Sequence, residues 1–182
     1  MSEIADRYRS LAAGFTKRVE SVPEHRWESA SPCEGWTARE LMAHMVETSA
    51  RFFRLIAREL PAGPTVDEDT AGAWSTARDA VQAALDDPAV ATLEYEGFSG
   101  RTTFEQGINN FICFDVLVHT WDLARATGLD ERLDPAEVHH VFEVAQPMDE
   151  MLRTPGVCGP KLDPPPGADE QARLLAFLGR AV

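Results

Sequence analysis

The chain has 182 residues, of which 44% are hydrophobic and 26% charged, and its formal net charge is -13. That length can bury a core without disulfide or metal staples, and the balance is that of an ordinary soluble globular protein. The acidic excess argues against nucleic acid or an anionic membrane as partner, because both require Lys/Arg patches; only Lys17 and Lys161 are lysines, and they lie far apart.

In chain order, Ile4, Tyr8, Leu11, Ala12, Phe15 and Val19 recur at helical spacing, which predicts an amphipathic helix over 3 to about 20, ended by Pro23. A polar loop through His25, Trp27 and Ser29 leads to Ser31-Pro32-Cys33-Glu34-Gly35-Trp36. Thr37 and Glu40 then form a capping box for a second helix, expected to run to about Leu60 before Pro61, Gly63 and Pro64. Its inner face reads Leu41, His44 (or Met45), Thr48, Phe52, Leu55 and Ile56. A third helix is expected from Asp67 to about Asp87, with Trp74, Ala77, Val81 and Leu85 on one face and Pro88 closing it. Residues 90–102 have extended character and read as a short loop or hairpin. Thr102 or Thr103 caps a fourth helix over about 103–127, with Gly128 a suitable residue just past its end. Asp134, Pro135 and Glu137 start a fifth, running to about Leu152 and kinked near Pro147. A Pro/Gly-rich loop from 155 to 167 precedes a last amphipathic helix over about 169–179. The pattern predicts an all-α fold: a single-domain bundle (1–182) of four long helices with one or two short additions.

Cys33, Cys113 and Cys158 are too few and too far apart for a disulfide framework or a CxxC motif. With no signal peptide and no run near the roughly 18 apolar residues of a membrane span, the expectation is a reduced, cytoplasmic protein.

The most informative stretch is Asp115–Gly128, where Asp115, His119 and Asp122 share one helical face among apolar neighbours. Polar groups on such a face need hydrogen-bond, ionic or metal partners. A carboxylate and an imidazole four residues apart form a two-ligand clamp for a divalent transition metal, and His44 on the second helix can complete it. A hydrogen-bonded core histidine and a plain Asp115–His119 ion pair explain the same residues, so spacing leaves both readings open. Asp122 can orient the neighbourhood of His119 or pair with Arg125, and the pairing is preferred. His25, His139 and His140 read as surface or partly buried side chains. Cys33, just ahead of a helix N-terminus, could be a reactive thiolate, but a small loop residue packing beside Trp36 is the preferred reading. Cys113 reads as core, and Trp36 and Trp121 as packing anchors.

Three blocks together, Pro32-Cys33-Glu34-Gly35-Trp36-Thr37, Glu40-Leu41-Met42-Ala43-His44, and Val118-His119-Thr120-Trp121-Asp122-Leu123-Ala124-Arg125-Ala126-Thr127-Gly128, resemble the mycothiol-dependent maleylpyruvate isomerase metal-binding domain family, of the DinB-like four-helix-bundle superfamily. Arg173-Leu174-Leu175-Ala176-Phe177-Leu178-Gly179-Arg180 is similar to short actinobacterial members, so the resemblance spans nearly the whole chain. It implies a divalent metal (zinc, with nickel or iron as alternatives) held by His44, Asp115 and His119. It further implies a low-molecular-weight thiol, mycothiol, and an electrophilic small molecule as partners, and homodimerisation is compatible with it. Two departures stand out. The carboxylate is Asp115 where isomerases often have Glu. The full-length isomerase also has a further C-terminal domain that this length does not accommodate, so isomerase activity itself is not carried over. Two His and one carboxylate leave open coordination positions, which lower the pKa of a bound water or thiol. The expected function is a metal- and thiol-dependent transferase or isomerase-like enzyme with no identifiable protein general base. The alternative is a metal-binding, stress-related protein without turnover.

Overall fold

The computed structural model of the protein describes residues 2–97, 100–154 and 156–182. Phe98, part of the expected extended stretch, and Pro155, the start of the expected loop, lie outside them.

Helix α1 (Glu3–Ser21) is capped by the Ser2 hydroxyl, which accepts from the Ala5 N–H, and buries Ala5, Tyr8, Leu11, Ala12, Phe15 and Val19. Helix α2 (Ala38–Leu55) opens on the expected capping box between Thr37 and Glu40. It stops at Leu55, five residues short of the sequence expectation. Ala57 takes a positive φ of 54° there, and its N–H and that of Ile56 turn back on the carbonyls of Arg54 and Phe53. The buried face of α2 is Leu41, Met42, Met45, Ser49, Phe52 and Phe53. His44 and Thr48 therefore lie on its flank, and Leu55 is exposed. Helix α3 (Thr70–Asp86) is capped by Asp69 and buries Trp74, Ala77, Val81 and Leu85 as expected. Pro88 does not simply end it. Proline suits the first turn of a helix, and Pro88 begins a one-turn helix α4 (Pro88–Ala91) capped by Asp87. The extended stretch is a two-stranded antiparallel hairpin, β1 (Glu94–Gly97) and β2 (Gly100–Thr103), with Tyr95 opposite Thr102.

The fourth expected helix is a single rod with a defect. Thr103 caps α5 (Phe104–Gly107), a π-helical turn follows over Ile108–Ile112, and α6 (Cys113–Thr127) completes it. Gly128 closes α6 at φ 77°. The wide turn loosens the regular i→i−4 ladder and re-phases the helix just before Asp115. Arg7 of α1 clamps it. Its Nη1 donates to the carbonyl oxygen (3.1 Å) and Oδ1 (2.7 Å) of Asn109, while Nε and Nη2 form a fork on Glu137. The chain then runs through α7 (Pro135–Ala145), a 3-10 turn at Gln146–Met148 that carries the expected Pro147 kink, α8 (Asp149–Leu152) and α9 (Glu170–Phe177).

In the bundle α1 packs against α6 and α3, and α2 packs against the same two, giving the ring α1–α3–α2–α6. This is the all-α four-helix bundle implied by the periodicity and by the DinB-like resemblance. Its core includes Trp74, Trp121, Tyr8, Phe15 and Phe104, all essentially inaccessible to solvent. Helices α7 and α9 pack on each other beside the ring. Among the described residues no helix is long and apolar enough to cross a membrane.

Arg7→Ala removes charged hydrogen bonds on both the π turn and α7. Its expected effect is a loss of about 1–3 kcal/mol in chemical denaturation. A change within about 0.5 kcal/mol, the range of an ordinary surface substitution, would mean that the clamp does not hold the turn.

Candidate metal centre

Three structural elements converge between α2 and α6. The first is the loop before α2, tied down by the Ala30–Thr37 bridge and the bonds Ser31 N–H to Trp36 O (2.8 Å) and Trp36 N–H to Cys33 O (3.0 Å). Gly35 turns this loop at φ 80°, a backbone conformation that glycine adopts freely. The loop lays the Trp36 ring against His44, with centroids 4.9 Å apart, and within 6.5 Å of the His119 ring. Trp36 is thus a wall of the site as well as a packing anchor.

The second element is α2, which brings His44 to within 5.1 Å of His119, ring to ring. The third is α6, which carries Asp115, His119 and Asp122. His44, Asp115 and His119 each offer a ligand atom, and these atoms lie within 4.8 Å of one another. Across the two helices, His44 Nε2 lies 3.5 Å from Asp115 Oδ2. Two ligands about 2.0–2.1 Å from one tetrahedral zinc stand about 3.3–3.4 Å apart, so this approach fits a shared ion.

The plain Asp115–His119 ion pair, the alternative that the spacing left open, is not the contact that His119 makes. The Nδ1 of His119 lies 2.9 Å from Asp122 Oδ2 and donates to it, which leaves Nε2 as the ring nitrogen with a free lone pair. Nor does Asp122 pair with Arg125. Arg125 lies over the Trp121 ring and pairs with Glu131, its side chain 41% exposed and so turned to solvent rather than to the buried Asp122. The partner of Asp122 is Arg180, from beyond α9, with Nη2 on Oδ2 at 2.8 Å and Nε on Oδ1 at 3.2 Å. Asp122 has no exposed surface, and Arg180 is 8% exposed. Burial opposes ionisation of Asp122, but the His119 hydrogen bond and the Arg180 charge outweigh it and hold the carboxyl down at about 2.

Cys33 lies closer to the chemistry than a loop-packing residue would. Its Sγ is 3.4 Å from Asp122 Oδ2, 3.7 Å from Arg180 Nη2 and 4.0 Å from His119 Nδ1. Burial, followed by the Asp122 charge, pushes its thiol up to about 12, against the weaker pull of Arg180. It is therefore a thiol that donates to Asp122, not a reactive thiolate. Cys33, His119 and Asp122 also form a compact donor set. The guanidinium already bound to Asp122 supplies that side with its positive charge, so a metal ion there would meet a like charge at close range. Among the described residues no arginine or lysine pairs with His44, Asp115 or His119.

Cys113 is buried in the core as expected, and His25, His139 and His140 are exposed, with His139 paired to Glu170 at 2.9 Å. Arg180 was missed as a site residue: an arginine following a terminal helix carries no local sign of a partner 58 residues away.

A four-helix bundle with two imidazoles and a carboxylate gathered between two of its helices is, by architecture, a candidate metal-binding bundle. Residues 8–97 match the family model described as the mycothiol maleylpyruvate isomerase N-terminal domain, and this stretch of the chain is similar to that family. The match takes in His44 and ends before Asp115 and His119. Two uncharacterized proteins of Mycobacterium tuberculosis, one from each of two strains, are 29% identical over 193 aligned residues, covering 92% of this chain and 92% of each of theirs. No solved structure matches.

Two outcomes are expected from this geometry. Asp122→Asn leaves Arg180 buried without its counter-charge, and urea denaturation should show a loss of about 3–5 kcal/mol; a near-neutral result would mean that water, not Asp122, solvates the guanidinium. With its pKa near 12, Cys33 carries roughly a thousandfold less thiolate at neutral pH than a free cysteine. Peptide mapping after iodoacetamide should find Cys33 unmodified in the native protein and alkylated in denaturant. Rapid native alkylation would overturn the thiol assignment.

Proposed function

We propose that His44, Asp115 and His119 hold one divalent metal ion, zinc before nickel or iron, and that the protein is a thiol-dependent transferase or isomerase-like enzyme acting on a small electrophile. The observation that carries this reading is the contrast between two adjacent polar groups. Asp122 has a complete set of short partners within the protein. Among the described residues, His44 and Asp115 have only each other, at 3.5 Å, and the Thr48 hydroxyl, which is 3.5 Å from both ring nitrogens of His44. Those distances are beyond good hydrogen bonding. A nitrogen–oxygen donor set spaced for an ion but not for hydrogen bonds fits a borderline divalent metal.

The side chains divide the work. His44 and His119 supply neutral nitrogen ligands and Asp115 the single negative charge, so an ion bound there keeps a net positive charge and open positions. Such an ion supplies Lewis acidity, lowering the pKa of a thiol that reaches it. His44 and Asp115 are partly exposed, with side chains at 31% and 23%, whereas His119 is at 8%, so access is from the His44–Asp115 side. Trp36 covers the imidazoles on one flank and offers an apolar wall to a substrate. The protonated Cys33 is no nucleophile, burial likewise raises the Cys158 thiol, and Cys113 lies in the core, so this reading takes the attacking thiol from outside the chain. The family's link to mycothiol supports that compound as the thiol. The same reading treats residues 1–182 as one domain working in the cytoplasm.

Elemental analysis after zinc loading is expected to give about one zinc per chain in the wild type and none in His44→Ala. The cobalt(II)-substituted protein should gain a thiolate-to-cobalt charge-transfer band when mycothiol is added. No metal retained by the wild type would overturn the site. Metal without any thiol band would remove the enzyme reading and leave a metal-binding protein.

A further inference from the structure

Helix α9 ends in a Schellman turn. The Gly179 N–H donates to Ala176 O at 3.0 Å and the Arg180 N–H to Leu175 O at 2.8 Å, the paired bonds of that motif. Gly179 has φ 83°, and a Cβ built on it would stand 2.9 Å from Pro160 O and 3.0 Å from Gly159 C. Glycine is needed twice over, for the left-handed backbone and for the close approach of the 159–160 segment. The turn sends the Arg180 side chain back onto α6. There Nε takes Asp122 Oδ1, Nη2 takes Oδ2, and Nη1 returns to Leu178 O at 2.9 Å. Asp122 Oδ2 is also the oxygen that accepts from His119 Nδ1.

We infer that Arg180 is a positioning residue for His119: acting through Asp122, it fixes the imidazole with Nδ1–H on the carboxylate and Nε2 left for the His44–Asp115 cluster. A two-pronged guanidinium sets the plane of a carboxylate as well as its place. The carboxylate plane then sets the direction of the hydrogen bond from His119. A lysine at 180 would supply charge without that fork. The chain's last turn thereby becomes part of the apparatus that presents a ligand on α6. The consequence for metal affinity rests on the metal-binding reading above, but ring tautomer and orientation are properties of the protein without metal.

The test compares metal-free, 15N-labelled wild type with Arg180→Ala, Arg180→Lys and Gly179→Ala, using long-range imidazole 1H–15N spectra together with zinc titration against a chromophoric chelator. Wild type should show a single His119 tautomer protonated on Nδ1. Arg180→Ala should show a mixture, and Arg180→Lys an intermediate state. Gly179→Ala should resemble Arg180→Ala, although it keeps the arginine, because the turn that aims the side chain is lost. Zinc dissociation constants should rise about ten- to hundredfold in Arg180→Ala and Gly179→Ala, the usual effect of losing a partner behind a histidine ligand. A merely structural Arg180 would lower stability alone. Folded variants with the wild-type tautomer and wild-type zinc affinity would overturn the inference. If Arg180→Ala does not fold, the tautomers of the other two variants decide. If the wild type holds no zinc, the metal reading fails, and the tautomer comparison still decides the role of Arg180.

Discussion

A carboxylate with no exposed surface is the constraint to which the rest of this structure answers. Asp122 stays ionised inside a helical bundle, where an unpartnered charge would be far too costly to keep. Its oxygens therefore gather what the fold can bring: the His119 imidazole from its own helix, the Cys33 thiol from the loop before α2, and the Arg180 guanidinium from beyond α9. Cys33 lies 89 positions from Asp122 in the sequence and Arg180 lies 58. One buried charge thus ties the start of α2, the middle of α6 and the chain's last residues to a common point.

The consequence for chemistry is a division of labour along α6. On the buried side, Asp122 is fully satisfied by protein groups and holds His119 in one orientation. On the more open side, Asp115 and His44 lie beside the same ring with long contacts of their own among the described residues. A ligand histidine backed by a carboxylate is the usual arrangement at protein metal sites, because the second hydrogen bond sets tautomer and direction. Here the backing carboxylate is itself backed by an arginine. The arrangement places positive charge behind the site and leaves the nitrogen and oxygen donors in front of it.

Much of this was legible in the sequence, for identifiable reasons. The helix starts were read from side chains that act on their own backbone, as Thr37 with Glu40 and Asp134 with Pro135 do, and such local chemistry survives any tertiary context. The i, i+4 and i, i+3 spacing of Asp115, His119 and Asp122 gave their common face, and the His44 motif gave the cross-helix partner. Ends set by packing were less legible: α2 stops at Leu55 because Ala57 turns left-handed, five residues before the prolines that suggested its end. The π turn at Ile108–Ile112 was invisible because its sequence is a good helix, and the bonds that clamp it come from Arg7 about a hundred residues away.

The partner of Asp122 was misassigned for the same reason. Arg125, three residues on, is the local choice, and local ion pairs on exposed helix faces are common but weak. A fully buried carboxylate cannot be matched by an arginine that points to solvent, so burial selects the partner that proximity in sequence does not. Cys33 was underrated by the same logic. Its position ahead of a helix suggested a lowered pKa, yet helix N-terminal fields are worth at most a kcal/mol or two. Burial beside an ionised carboxylate outweighs that and keeps the thiol protonated. In both cases the sign of the effect is set by the environment of one residue, Asp122. Its burial depends on α6, the Trp36 loop and the terminal turn coming together, which no local pattern in the chain encodes.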